Sequence, residues 1–434
     1  MSSLQTIVRA GVALAALALA GCSLISAPWT KAPPPPPPVA PPVPPPEPVL
    51  PLPVDTHRFE LADPKDDLYG EVQVTIAGKE DTLPDIARRF NIGYEEIVRA
   101  NPGVDPWIPG AGRKIVVPTQ FVLPNAPREG IVINLAAMRI YYFPRHKPGE
   151  TPVVYTHPIG VGKVGWVTPE GITRIVSREE NPTWRPSAGV RKEHADNDDP
   201  LPAVVPPGPD NPLGKYKFTL GWPSYLIHGT NKPYGVGLRS SHGCIRLYPE
   251  DIAKFYQAVP LGTQVRVVNQ PFLFGWHHGQ LYLQAYTVFE DDSRNWSKAQ
   301  KALLLKSMSP RLEKLLRAAG AKIDWNAVTQ VANAPRGLAV PVSGTAGTVD
   351  EVLAAAPVVQ NRIPAGANWD GADEVDADKQ SFQQLQSERE PQASAAADAA
   401  ATPAALRPAA AQLPAPAAPA AAASDHASAA SPGG

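Results

Sequence analysis

Nineteen residues near the middle of the chain, His228 to Arg246, read HGTNKPYGVGLRSSHGCIR and gather two histidines, a cysteine and several glycines. A thiol attacks well only as thiolate, and its ordinary pKa of about 8.5 calls for a base or a cationic neighbour near neutrality. His228 and His242 each supply an imidazole, and spacing leaves either as the base for Cys244. Gly243 lets the backbone turn tightly, so the amides of His242, Gly243 and Cys244 are candidate donors to an oxyanion. Ser241 is a candidate for hydrogen bonding inside the loop, and Arg246 either meets a substrate carboxylate or braces the fold. The set suits acyl transfer through a cysteine. His228, His242 and Cys244 are also legitimate zinc ligands. No further Cys/His spacing supports that reading, and a Ser-His-Gly-Cys turn accounts for the glycine better, so neither metal nor cofactor is expected here.

The other cysteine is Cys22. Arg9 and the apolar run from Ala10 to Ala20 form a segment too short to span a bilayer as a finished helix, which reads as an export signal. Its end, Leu19-Ala20-Gly21-Cys22, resembles the lipobox of bacterial lipoproteins. That resemblance implies cleavage before Cys22 and its acylation, and Ser23 favours the periplasmic face of the outer membrane over inner-membrane retention. Cys244 then has no intramolecular partner, and a free thiol in an oxidising compartment is a liability unless chemistry uses it.

The remaining chain must position that loop. From Lys31 to Pro53, 14 of 23 residues are proline, an extended spacer reaching about 70 Å at roughly 3.1 Å per residue. Val72, Val74 and Ile76 alternate as a strand; Thr82-Leu83-Pro84-Asp85 starts a helix, and Asn101-Pro102-Gly103 stops a second. KIVVP from Lys114 closes a βααβ unit. Strands are expected at 131–134, 138–143, 153–159, 172–176, 225–227 and 264–268, with a helix at 249–259, giving a mostly β sandwich or barrel with one short helix. The loop 185–212 is long and proline-rich and reads as a wall or lid. The expected boundaries are a signal at 1–21, a linker at 22–70, the βααβ module at 71–118, the catalytic domain at 125–271, an extension at 272–334 and a disordered Ala/Pro-rich tail at 335–434. Within the extension, Trp296 to Gly320 reads as helix broken at Pro310, with Lys298, Lys301, Lys306, Arg311, Lys314 and Arg317 on a solvated face. A net charge of −1 offers nothing to nucleic acid.

The His228–Arg246 stretch resembles the signature of YkuD-type L,D-transpeptidases. IGVGKVGWVTPEG, NPTWRPSAGVRKE and PLPAVVPPGPDNPLGKYKF extend the likeness toward the ErfK/YbiS branch. DTLPDIARRFNI, YEEIVRANPGV and IPGAGRKIVVP resemble a LysM module, departing from it at Ala77-Gly78-Lys79-Glu80. The resemblance implies Cys244 as nucleophile, His228 as base with the Gly229 carbonyl orienting its other nitrogen, and peptidoglycan stem peptides and glycan strands as partners. It implies as acceptor a Braun-type lipoprotein lysine or a diaminopimelate amine, with water making an L,D-carboxypeptidase instead. A non-catalytic wall-binding lipoprotein is the reading from another class. If the modules are independent, a chain starting near Asn125 keeps its chemistry on soluble stems and loses wall affinity.

Overall fold

The computed structural model describes residues 50–364. The export segment, Cys22 with its lipidation motif, the spacer as far as residue 49 and the tail from 365 lie outside the described residues.

The protein is mostly β, as expected. One sheet of nine strands curls through it in the order His57–Glu60, Val153–Pro158, Arg139–Phe143, Gly130–Asn134, Gln264–Val268, Gly171–Glu180, Tyr216–Leu220, Leu226–His228 and Ile245–Arg246. Within this sheet, strand pairing is antiparallel except at two places, 264–268 on 130–134 and 226–228 on 245–246. The helix Pro249–Ala258 turns its buried Ile252 and Phe255 into the curl, against Ile131, Ile140, Phe218, Ile227 and Ile245. Fully burying such a side chain is worth roughly 1.5–3 kcal/mol, so this layer is what holds the curl shut. Tyr216–Leu220 is a further strand that sequence reasoning missed, although Tyr-Lys-Phe-Thr-Leu alternates apolar and polar as a half-buried strand does; strands 171–180 and 226–228 flank it on both sides.

The βααβ module forms as read. Strands Gln73–Ile76 and Lys114–Val117 pair antiparallel, and the helices Leu83–Arg89 and Tyr94–Ala100 lie between them in sequence. Thr82 and Asp85 form the capping box that the spacing predicts.

Two boundaries move. The linker ends before residue 70, because His57–Glu60 pairs with Val153–Thr156 as the edge of the large sheet, and Leu68–Gly70 pairs with Gln120–Val122. Order also continues past residue 335: Ala339–Pro341 completes a three-stranded sheet with the hairpin Phe272–His277/Gln280–Ala285, and Val349–Ala355 is a helix. A strap then runs along the βααβ module, where Val359 N donates to Val74 O at 2.8 Å and Thr75 Oγ1 donates to Val359 O at 2.8 Å. The strands of both segments complete sheet edges, and the helix Val349–Ala355 starts at a capping box of Thr348 and Glu351 like that of Thr82 and Asp85. The break at Pro310 is real, separating helices Trp296–Ser307 and Pro310–Ala319. Arg311 is exposed, as a solvated face requires, and its guanidinium also clasps the Asp67 carboxylate.

Candidate active site

Three short pieces of backbone hold the cysteine loop. Arg239–Ser241 runs parallel to Val161–Gly162, and Lys163 N donates to Ser241 O at 2.9 Å. The chain turns through His242-Gly243-Cys244, with Gly243 at φ +98°, a value L side chains rarely adopt. A Cβ there would also meet the Tyr225 ring at 2.9 Å. Ile245–Arg246 then pairs parallel with Ile227–His228, which puts His228 at the end of the strand beside the one that follows the cysteine.

Ser241 acts inside the turn: its hydroxyl donates to Cys244 O at 2.6 Å and accepts from Gly243 N at 3.2 Å. That occupies the Gly243 amide, so of the three expected oxyanion donors the structure leaves His242 and Cys244. Thr168, which sequence reasoning did not single out, braces the turn from behind, donating to Gly243 O at 3.0 Å. Its only sequence signal was its place in the GVGKVGWVTPEG segment.

His228 Nδ1 donates to the Gly229 carbonyl at 2.6 Å, which leaves Nε2 as the acceptor nitrogen. Burial, and after it the Arg246 charge, push this imidazole down to about 3, so it is neutral near pH 7. Burial pushes the Cys244 thiol up, opposed by the Leu226 amide and by Arg246. The thiol donates to Ser224 O at 3.7 Å. The resting pair is therefore neutral thiol and neutral imidazole. Arg246 donates to Ser240 Oγ at 3.4 Å, while its Nε is buried with no hydrogen-bond partner and, among the described residues, no carboxylate pairs with it. Burial lowers its pKa, an unusual state for a guanidinium without a counter-ion.

Cys244, His228, His242 and Arg246 line one cavity of about 640 Å³, walled by Trp166 and Trp184. His242 differs from His228. It lies against the Trp166 ring, centroids 4.9 Å apart, with Nε2 3.4 Å from Glu193. Burial, and after it Lys163, lower its pKa. Of the three candidate zinc ligands, His228 Nδ1 donates to the Gly229 carbonyl and the Cys244 thiol to the Ser224 carbonyl, while His242 Nε2 is buried without a hydrogen-bond partner, 3.4 Å from Glu193.

The expected wall is present and contains a helix that sequence reasoning missed, Ala188–Asp196, capped by Ser187. Its mean apolar content is low and only Val190 is buried, so no periodic signal marks it. Glu193 on this helix accepts from Trp166 Nε1 at 2.6 Å and pairs with Lys163.

On the opposite flank the βααβ module grips the loop between His228 and Cys244. Tyr94 N donates to Val236 O at 3.2 Å, Glu95 N to Gly237 O at 3.1 Å, and Tyr234 OH to Asp85 Oδ1 at 3.0 Å. Gly237 has φ +84°, and a Cβ there would lie 2.2 Å from Tyr94 N. Beneath that crossing Arg139, fully buried, bonds both Glu96 carboxylate oxygens at 2.9 Å and stacks 4.1 Å over the Phe121 ring. Arg88 grips Glu250 at 2.9 and 3.0 Å, and Asn91 bonds Asp251 at 2.7 Å.

A curled β domain thus brings a cysteine, a carbonyl-oriented histidine and an arginine without a carboxylate partner into one cavity, beside a βααβ module. Residues 128–267 match the L,D-transpeptidase catalytic domain, and residues 78–118 match the LysM domain. Probable L,D-transpeptidase YcfS of Escherichia coli (strain K12) is 41% identical over 227 residues, 51% of this chain and 70% of that one. Probable L,D-transpeptidase ErfK/SrfK of Salmonella typhimurium is 37% identical over 275 residues, 62% of this chain and 86% of that one. Probable L,D-transpeptidase YbiS of Escherichia coli (strain K12) is 42% identical over 224 residues, 51% and 69% of the two chains. The chain belongs to the L,D-transpeptidase family.

Proposed function

We propose that this protein is a peptidoglycan L,D-transpeptidase that acts through a thioester on Cys244. The observation that carries the reading is the shared cavity of Cys244, of His228 with its Nδ1 committed to Gly229, and of Arg246 without a carboxylate partner. The substrate is a tetrapeptide stem, and the bond cleaved follows its third residue. Because both partners rest neutral, the thiol proton passes to His228 Nε2 as sulfur attacks the carbonyl, and not beforehand. The amides of Cys244 and His242 receive the oxyanion, and Arg246 takes a stem carboxylate. His228 returns the proton to the departing D-alanine nitrogen, leaving the thioester. An acceptor amine then attacks, His228 takes its proton, and the thiol is restored.

The acceptor is another stem's diaminopimelate amine, making a 3→3 cross-link, or the terminal lysine of a Braun-type lipoprotein; water would make the enzyme a carboxypeptidase. The LysM module supplies glycan affinity. Acylation at Cys22 would tether the chain to the outer membrane, with the proline-rich stretch as spacer. Muropeptide mass spectrometry of cells with and without the protein separates the acceptors, and palmitate labelling of Cys22→Ala tests the anchor.

The site itself is tested by carbapenem acylation against pH, followed by intact mass. Cys244→Ala should form no adduct and release no D-alanine. His228→Ala should acylate slowly near pH 7 and recover only at pH above the free-thiol pKa of about 8.5, because burial pushes the Cys244 thiol up. His242→Ala should show a smaller defect without alkaline recovery. The reverse pattern would assign the base to His242.

A further inference from the structure

We propose that Asp66, His277 and His278 form a binding site for a divalent transition-metal ion, with zinc as the chemistry that fits best. The site is separate from the Cys244 cavity, none of whose lining residues it shares.

Along a strand, successive side chains point to opposite faces, so a His-His pair on a regular strand cannot chelate one ion. Here the strand Phe272–His277 ends in a tight turn in which His278 has φ +45° and Gly279 φ +83°. The left-handed backbone at His278 brings its ring back beside that of His277, centroids 4.0 Å apart at 82°. The third donor is held there through its neighbour: Asp67 N donates to Trp276 O at 2.8 Å, and the Asp67 carboxylate accepts from Trp276 N at 2.8 Å. This sets Asp66 against the hairpin tip.

One donor atom from each residue lies within 4.8 Å of the others. His277 Nδ1 is buried and has no hydrogen-bond partner, though Asp66 Oδ2 is 3.4 Å away. Zinc bonds of about 2.0–2.1 Å in a tetrahedron place neighbouring ligands roughly 3.3–3.4 Å apart, so this edge already has the length that coordination requires. His278 is exposed at a turn and is the ligand that closes in. Two imidazoles and one carboxylate favour zinc and its neighbours over magnesium or calcium, which prefer oxygen alone. Three protein ligands leave a fourth position for water. An ion here would tie residues 66–67 to the hairpin of residues 272–285, reinforcing the clasp of Arg311 on Asp67.

The test uses the full chain carrying Cys244→Ala, so that the active-site thiol cannot bind the probe. Zinc chloride titrated by calorimetry should bind one ion per chain with a dissociation constant of about 10 µM or tighter. Cobalt(II) should give the intense visible bands of a four-coordinate centre. His277→Ala and, separately, His278→Gln should each weaken zinc binding about tenfold or more. The second is an exposed turn substitution, and a thermal melt of the metal-free chain verifies that it folds. Absence of saturable one-to-one binding, or binding that survives either histidine substitution unchanged, overturns the proposal.

Discussion

The Cys244 loop has two flanks built on opposite physical terms. On the LysM flank everything is buried: Arg139 on Glu96, Asn91 on Asp251, and the Gly93–Gly237 crossing, where a Cβ on Gly93 would lie 2.7 Å from Gly237 Cα. On the lid flank the helix Ala188–Asp196 is mostly exposed and held chiefly by Glu193. Buried charges without partners are costly, so the first flank has one arrangement. Solvated ion pairs contribute little, so the second can let go at small cost. The difference teaches that the LysM module is a structural wall of the catalytic domain, and that the lid side is the flank held by the weaker contacts.

The hardest break is removal of the first flank. A chain beginning at Asn125 loses the edge strand His57–Glu60 and exposes Arg139 and Tyr141, both fully buried in the whole protein. It is expected to be insoluble or inactive, reversing the outcome that independent modules would give. A soluble truncated chain with normal D-alanine release would show that the seam is dispensable.

A narrower cut is Arg139→Ala. It strands the Glu96 carboxylate, which burial already pushes up against the pull of Arg139. Loss of one partner of such a pair costs about 3–5 kcal/mol, read from urea unfolding. Pairing Arg139→Met with Glu96→Gln should restore much of the loss; equal destabilisation in the double variant would contradict the charge argument.

Acid probes both the seam and the site. Burial pushes His57 and His228 each down to about 3, helped by Arg139 at the first and Arg246 at the second. His57 Nε2 donates to Phe90 O at 2.9 Å, across the seam. Between pH about 6.5 and about 3 the unfolded chain takes up protons that the folded one refuses. Stability therefore falls as pH falls, by about 1.4 kcal/mol per unit for each histidine, and is insensitive to them above pH 6.5. Urea melts at pH 7 and 4.5 measure it. His57→Gln should remove about one proton from the slope, and an unchanged slope would rule His57 out as a source.

The smallest effect belongs to the lid. Although burial raises Glu193, Lys163 and the Trp166 indole hold its pKa below the usual carboxylate value. Glu193→Gln should shift stability by less than about 1 kcal/mol while changing KM for stem peptides. A large fall in Tm with KM unchanged would make the lid a structural element like the seam.

Much of the site could be read from the linear chain because its chemistry is local. Cys244, Ser241 and Gly243 lie within four residues, and the turn they make is built from their own hydrogen bonds. The LysM helices were legible for the same reason, since Thr82 and Asp85 cap within one turn. The lid helix and the strap ending near Gln360 were not, because each is stabilised by distant partners and carries no period of its own, whereas the alternation of Tyr216–Leu220 was there to be read.

The sequence by itself determined the two modules and the β character of the catalytic domain, and singled out the Cys244 turn, all encoded in residue type and short-range spacing. Only the tertiary structure decided that Gly243 gives its amide to Ser241, that His228 turns Nδ1 to Gly229 while His242 faces Glu193, and that residues 57–60 and 339–359 belong to the folded protein. Those outcomes depend on which groups burial leaves without water. That is a property of packing between segments up to hundreds of residues apart, such as Thr75 and Val359, and no local window contains it.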